Sequence, residues 1–263
     1  MKHLYPYLIA HVTIQSYPWI TMSIKKIECI DLFCGAGGLT YGLQKTGINV
    51  VAGYDIDPAC KYPFEANNSS VFKQEDVTKL KGSALQDLFT DRAQIRLLAG
   101  CAPCQPFSTY SHRYKTIGTA RWALLKQFAR LVIELRPDYV VMENVPSVTK
   151  HSVFEDFENS LKKNYYYCSK TIVDCSKYGL PQARRRTVFL ASLRGPISLN
   201  PHDLTQEVTV ADAISGLPKI EAGEINNLDE LHVSAKLSDL NIKRIKASKP
   251  GGTWRDWPKE LVS

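Results

Sequence analysis

Residues 27–43 read IECIDLFCGAGGLTYGL. An apolar, β-branched run leads into the glycines Gly35, Gly37 and Gly38, and Leu39 and Leu43 follow at helical spacing. This order predicts a buried strand, a tight turn and a helix, the opening unit of a parallel α/β sheet. Backbone N–H groups at such a turn can approach a ligand closely. The same glycines also suit a strand-to-helix turn that holds nothing, and the turn alone does not decide between the two.

The rest of the chain repeats the alternation. Residues 48–54, 95–99 and 139–142 read as further buried strands, and 165–173 and 187–193 as two more. Residues 122–134 carry Leu124, Leu125, Phe128, Leu131 and Val132 at helical spacing, and 153–163 read as an amphipathic helix. Strands alternating with helices predict an α/β fold with a mostly parallel sheet covered on both faces. The second strand ends at Asp55, about twenty residues past the glycines, where an acid can hold ribose hydroxyls. Pro58 behind Asp57 equally suits a turn or a helix cap there. Asp76 stands in a similar place, able to accept from an adenine amine or to cap a turn. The phosphate fingerprint G-x-G-x-x-G is incomplete, which points to an adenosyl cofactor without a pyrophosphate.

Residues 100–108 read GCAPCQPFS. Prolines on both sides of Cys104-Gln105 stiffen the loop and would project Cys104 as a nucleophile, while Cys101 abuts the strand and reads as a buried, inert thiol. Structural zinc needs more ligands than this pair offers, and no second C-x-x-C is present, so no metal is expected. A redox pair would lead into a helix, but Gln105-Pro106 follows. Glu143-Asn144 stands at the end of an apolar strand, where open α/β sheets place their chemistry. Arg184, Arg185 and Arg186 read either as a solvated or phosphate-binding patch or as the field that activates a thiolate.

Composition narrows the class. Of the 263 residues, 44% are apolar and 22% charged, as in globular proteins rather than disordered ones. The net charge of +7 suits a polyanionic partner. Seven scattered cysteines, an odd number, suit reduced thiols in the cytoplasm better than a disulfide framework. Residues 1–21 are interrupted by Pro6 and Pro18 and make neither a membrane span nor a clean signal peptide, so no membrane partner is expected. After Gly195 the prolines and glycines become denser and the periodicity weakens. The expected division is thus an N-terminal extension over 1–21, a catalytic and cofactor-binding domain over 22–195, and an irregular segment over 196–263.

Four motifs in order resemble the DNA (cytosine-5)-methyltransferases of bacterial restriction–modification systems: DLFCGAGGLTYGL, GCAPCQPFS, MENVP and QARRR, together covering about residues 27–193. The resemblance implies a Rossmann-like S-adenosylmethionine-dependent methyltransferase fold acting on double-stranded DNA. It implies that Cys104 attacks carbon 6 of a flipped cytosine, that Glu143 meets ring nitrogen 3 and the amine, and that Arg186 meets the base carbonyl with Arg184 in support. Asn144 and Gln105 would hold the loops. Phe33, Gly35, Gly37, Asp55, Ile56, Asp76 and Leu124 would contact S-adenosyl-L-methionine, with Ile56 departing from the aromatic residue of some members.

The family continues into a target-recognition domain, an arginine-glutamate segment and a last helix bearing Gly-Asn, and none of these is read here. The end of the chain resembles the lead-in to that domain, so the fold is expected to be incomplete at its C-terminus. Activity would then need a missing part or a second subunit. A remnant that binds cofactor or DNA without catalysis is the alternative, and a tRNA-directed enzyme a further one.

Overall fold

The computed structural model describes residues 26–103, 118–200, 208–229 and 232–262. Seven strands form one sheet: β1 (Ile27–Leu32), β2 (Asn49–Asp55), β3 (Val71–Gln74), β4 (Ile95–Gly100), β5 (Tyr139–Asn144), β6 (Tyr167–Asp174) and β7 (Arg185–Ser192). Their order is β3-β2-β1-β4-β5-β7-β6. Pairings from β3 to β5 are parallel, while β7 runs antiparallel to both of its neighbours. The helices among the described residues are α1 (Gly38–Lys45), α2 (Lys61–Asn67), α3 (Gly82–Gln86), α4 (Gly118–Leu135), α5 (Ser152–Lys163), α6 (Val210–Ile214) and α7 (Asp239–Ala247).

Strand alternation sends side chains to opposite faces. Ile30, Leu32, Leu98, Val140 and Met142 face one way, into a core shared with Leu125, Phe128 and Leu131 of α4 and Phe154 and Phe157 of α5. Phe157 packs edge-on against Phe189 of β7, with centroids 5.1 Å apart. Cys29, Leu97 and Ala99 face the other way, with Leu43 of α1. Each such Leu or Phe contributes about 1.5–3 kcal/mol through burial. Helices therefore lie on both faces, as the alternation implies.

The chain builds β1, β2 and β3 outward, then returns to place β4 on the far side of β1. Strand order reverses there, which opens a crevice beyond the carboxyl ends of β1 and β4. The two tips are level, with Leu32 opposite Gly100. A Cβ at Gly100 would lie 3.0 Å from the Leu32 carbonyl oxygen, a tight approach that glycine relieves.

β1 has the bounds expected from sequence, and other elements differ at their ends. The strand expected from residue 165 begins at Tyr167. Tyr165 is exposed with φ +69°, in the turn that follows α5, and cannot join a strand. The chain divides into two compact units, one ending at Ala213 and one running from Ile214. Within the first unit, Tyr178 Oη donates to the Asn200 carbonyl at 3.5 Å. In the second unit no described residue is buried. Residues 1–21 lie outside the described residues. No helix among the described residues is long and apolar enough to cross a membrane.

Candidate active site

The first wall of the crevice is the turn between β1 and α1. Phe33 (φ +58°), Gly35 (φ +53°) and Gly37 (φ +89°) all take left-handed backbone, which reverses the chain within a few residues. At Gly37 a Cβ would fall 2.2 Å from Asn68 Nδ2, whereas at Gly35 it would meet nothing within 4 Å. Asp55, half-buried at the tip of β2, fixes this turn. Its carboxylate accepts from Gly35 N at 2.9 Å and from Asp57 N at 3.0 Å. The main chain of Glu75 donates to the Asp55 carbonyl, which brings Asp76 beside the same strand tip.

Phe33, Gly35, Gly37, Asp55 and Asp76 thus gather at one edge. Asp57 caps the short helical turn that starts at Pro58, accepting from Ala59 N. Asp76 accepts from Thr78 N at 2.9 Å, and the Thr78 backbone and side chain hold its carboxyl below the usual range. Ile56 is 66% exposed. Leu124 is half-buried on α4, next to the core residue Leu125.

Beneath the turn lies a group that the sequence reading did not single out. Asp31 is fully buried, and Thr40 Oγ1 donates to its Oδ2 at 2.7 Å. Its Oδ1 has no partner among the described residues. Burial raises this carboxyl from 3.8 to about 7, the nearby Asp55 adds to the rise, and hydrogen bonds from Thr40 oppose it. The available signal was an acid set inside an apolar strand, directly ahead of a glycine turn.

The second wall is made by β4, β5 and β7. Arg186 Nε and Glu143 Oε1 lie 2.6 Å apart, with the side chains 16% and 25% exposed. Asn144 is buried, and its Nδ2 donates to the Ala102 carbonyl at 3.1 Å. Its own Oδ1 accepts from Val145 N. Cys101 N donates to the Leu32 carbonyl at 3.2 Å. The segment that leads to Cys104 is therefore fastened to β1 on one side and to β5 on the other. Cys104 and Gln105 themselves lie outside the described residues.

Cys101, half-buried, follows the Gly100–Met142 pair and so stands beside Glu143 of the neighbouring strand. Burial first, and then the Glu143 and Asp31 carboxylates, push this thiol well up. The shift favours the protonated thiol, next to the acid of the site. The carbonyl of Arg184 accepts from Cys175 N, and its side chain is exposed. Arg186 also donates from Nη1 to the Arg185 carbonyl at 2.8 Å.

Such a crevice can seat a small ligand over the turn between β1 and α1 and present an acid and a guanidinium to a second one. Comparisons with known proteins bear on what those ligands are. Residues 27–258 match the family model for C-5 cytosine-specific DNA methylases. The type II methylase M.HgiDII of Herpetosiphon aurantiacus is 44% identical over 239 residues, covering 89% of this chain and 67% of that protein. The type II methyltransferase M.XorII of Xanthomonas oryzae is 34% identical over 73% of this chain and 47% of its own length. Among solved structures, a prophage-encoded E. coli protein described as a DNA modification methyltransferase aligns with a TM-score of 0.63 at 29% identity, over 76% of this chain and 57% of that one. The chain thus spans between about half and two thirds of the length of these relatives. With the four motifs, the sheet order and this match in hand, the chain belongs to the C-5 cytosine-specific DNA methylase family.

Proposed function

We propose that this chain carries the catalytic centre for methyl transfer from S-adenosyl-L-methionine to carbon 5 of cytosine in double-stranded DNA. The observation that carries the reading is the junction of three motifs at one sheet edge. Glu143 pairs with Arg186, and Asn144 holds the Ala102 carbonyl two residues before Cys104.

The residues present fit an adenosyl cofactor. Open space stands over Gly35, where a side chain would intrude. Asp55 and Asp76 offer carboxylate acceptors suited to ribose hydroxyls and to an adenine amine. Phe33, Gly35, Gly37, Asp55, Ile56, Asp76 and Leu124 would hold it. When bound, that cofactor supplies an electrophilic methyl group on a sulfonium.

Carbon 5 of cytosine is a weak nucleophile unaided. A Cys104 thiolate adding to carbon 6 of a base flipped from the duplex places electron density on carbon 5. Glu143 in its acid form stabilises this adduct by giving its proton to ring nitrogen 3, which leaves a carboxylate paired with Arg186, and Arg186 also donates to the base carbonyl. Arg184 adds positive field at the same edge. Asn144 fixes the approach of the cysteine loop, and Gln105 supports it from within. Loss of the carbon 5 proton to a base then lets Cys104 leave.

Labelled-methyl transfer to duplex DNA tests this. Transfer is expected with the wild-type chain and is lost in Cys104→Ala, and undiminished transfer in Cys104→Ala overturns the reading. The incomplete coverage of the relatives favours a second reading, in which transfer also requires a further segment on this or another chain. A protein that binds the cofactor but transfers only when such a segment is added would bear that out.

A further inference from the structure

We propose that Cys101 is a positioning residue for Glu143. The inference rests on the reading above, in which Glu143 meets the cytosine ring. It goes beyond that reading, because Cys101 has no part in the proposed steps.

The sheet sets the geometry. Ala102 and Met142 both face the core under α4 and α5, and so do Ile30 and Leu32. The residues beside them must therefore face the other way. Gly100 pairs with Met142 in the parallel β4–β5 ladder. Cys101 and Glu143 are the next residues along, and both continue the face lined by Leu97, Ala99, Tyr139 and Val141. Asp31 follows Ile30 on that same face. A row thus crosses the sheet edge: Asp31, Cys101, Glu143, Arg186.

Two clamps hold Cys101 in this row, Cys101 N to the Leu32 carbonyl and Asn144 Nδ2 to the Ala102 carbonyl. Register and clamps together set the Cys101 side chain beside that of Glu143, near enough for the carboxylate to push the thiol up. Arg186 meets that carboxylate from the β7 side, Nε against Oε1. A carboxylate held on one side can turn about its last torsion, which is broad. A thiol donating to it from the β4 side would hold it against this rotation, opposite Arg186 on β7. Burial between two carboxylates suits the thiol to this work, because it stays a donor. The same feature disqualifies it as a nucleophile.

The test compares Cys101→Ala and Cys101→Ser with Cys104 intact, in the full chain with any segment that transfer requires. Because S–H is a weak donor, Cys101→Ala should lower kcat about three- to tenfold with the KM for S-adenosylmethionine unchanged. Cys101→Ser, which keeps a donor, should stay within about twofold of wild type. An unchanged kcat in Cys101→Ala, or a fall in Cys101→Ser as deep as in Cys101→Ala, overturns the proposal.

A second measurement does not depend on turnover. The infrared S–H band that vanishes in Cys101→Ala should move to higher frequency in Glu143→Gln, where a neutral amide replaces the carboxylate. A band that stays in place overturns the contact. Full transfer by Glu143→Gln would instead remove Glu143 from the chemistry, and that outcome sinks the broader reading separately.

Discussion

Arg186 Nε and Glu143 Oε1 meet at 2.6 Å across the β5–β7 pairing, although 43 positions separate them in sequence. The register explains the meeting. Glu143 stands opposite Val188, and Arg186 is two residues along on the same face. Both side chains are partly exposed, so the pair adds little to stability, about 0–1 kcal/mol. Its role is geometric. Arg186→Lys should keep the charge but lose the planar fork, lowering kcat about tenfold, and Arg186→Ala about a hundredfold, while thermal melts move little. Labelled-methyl transfer and melting curves measure both effects. Wild-type turnover in Arg186→Ala would release the guanidinium from the mechanism.

Asn144 is expected to matter for stability as well as for the site. It is buried and joins two segments, donating to Ala102 and accepting from Val145 N. Asn144→Ala should cost about 1–3 kcal/mol in urea unfolding. Asn144→Asp should cost more, because its carboxylate would face the Ala102 carbonyl with no donor between them. An Asp variant as stable as wild type would show that the Ala102 bond is dispensable.

Asp31 makes stability depend on pH. Its carboxyl is raised from 3.8 to about 7, so between these values the folded protein holds a proton that the unfolded chain has released. Stability therefore falls as pH climbs from about 4 to about 7, and the loss is complete above that range. The full effect is on the order of 4 kcal/mol at most. Asp31→Asn keeps an acceptor for Thr40 and has no charge to bury. It should flatten the dependence and melt higher than wild type at pH 8. Parallel melting curves for the two proteins between pH 5 and 8 would contradict the buried charge.

Gly35 and Gly37 should respond differently to alanine. Both have positive φ, which costs about 1–2 kcal/mol for an alanine. Only Gly37 adds a collision, with Asn68 Nδ2 at 2.2 Å and Phe64 Cδ2 at 2.8 Å. Gly37→Ala should lose both stability and cofactor affinity. Gly35→Ala points its methyl into open space, so calorimetric titration with S-adenosylmethionine should show weakened binding in a protein that melts only slightly lower. Unweakened binding by Gly35→Ala would move the cofactor away from this turn.

Elements with strong periodicity were legible in sequence, and those held by context were not. β1 is a run of buried residues and reads without ambiguity. β3 has four residues, of which only Phe72 is buried, and offers no pattern. α7 buries nothing, so no apolar stripe announces it. Asp55 stands out in sequence by its distance from the glycines, and its carboxylate accepts from Gly35 N. Glu143 and Arg186 could be joined only through the family resemblance, since cross-strand register is not written in either segment alone. The adjacency of Cys101 and Glu143 is hidden for the same reason: it depends on which strand lies next to β4.

The antiparallel placement of β7 also bears on how the protein folds. β7 enters between β5 and β6, so β6 and its turn must be synthesised before β5 gains its final neighbour. The crevice gathers residues from Asp31 to Arg186, and such distant contacts form slowly because loop closure precedes the gain from pairing. A chain emerging from the ribosome can order β1 to β5 with the glycine turn in place while the guanidinium is still unmade. Regain of methyl transfer after denaturation should therefore lag behind regain of the parallel core, with insertion of one reversed strand as the step that arms the site.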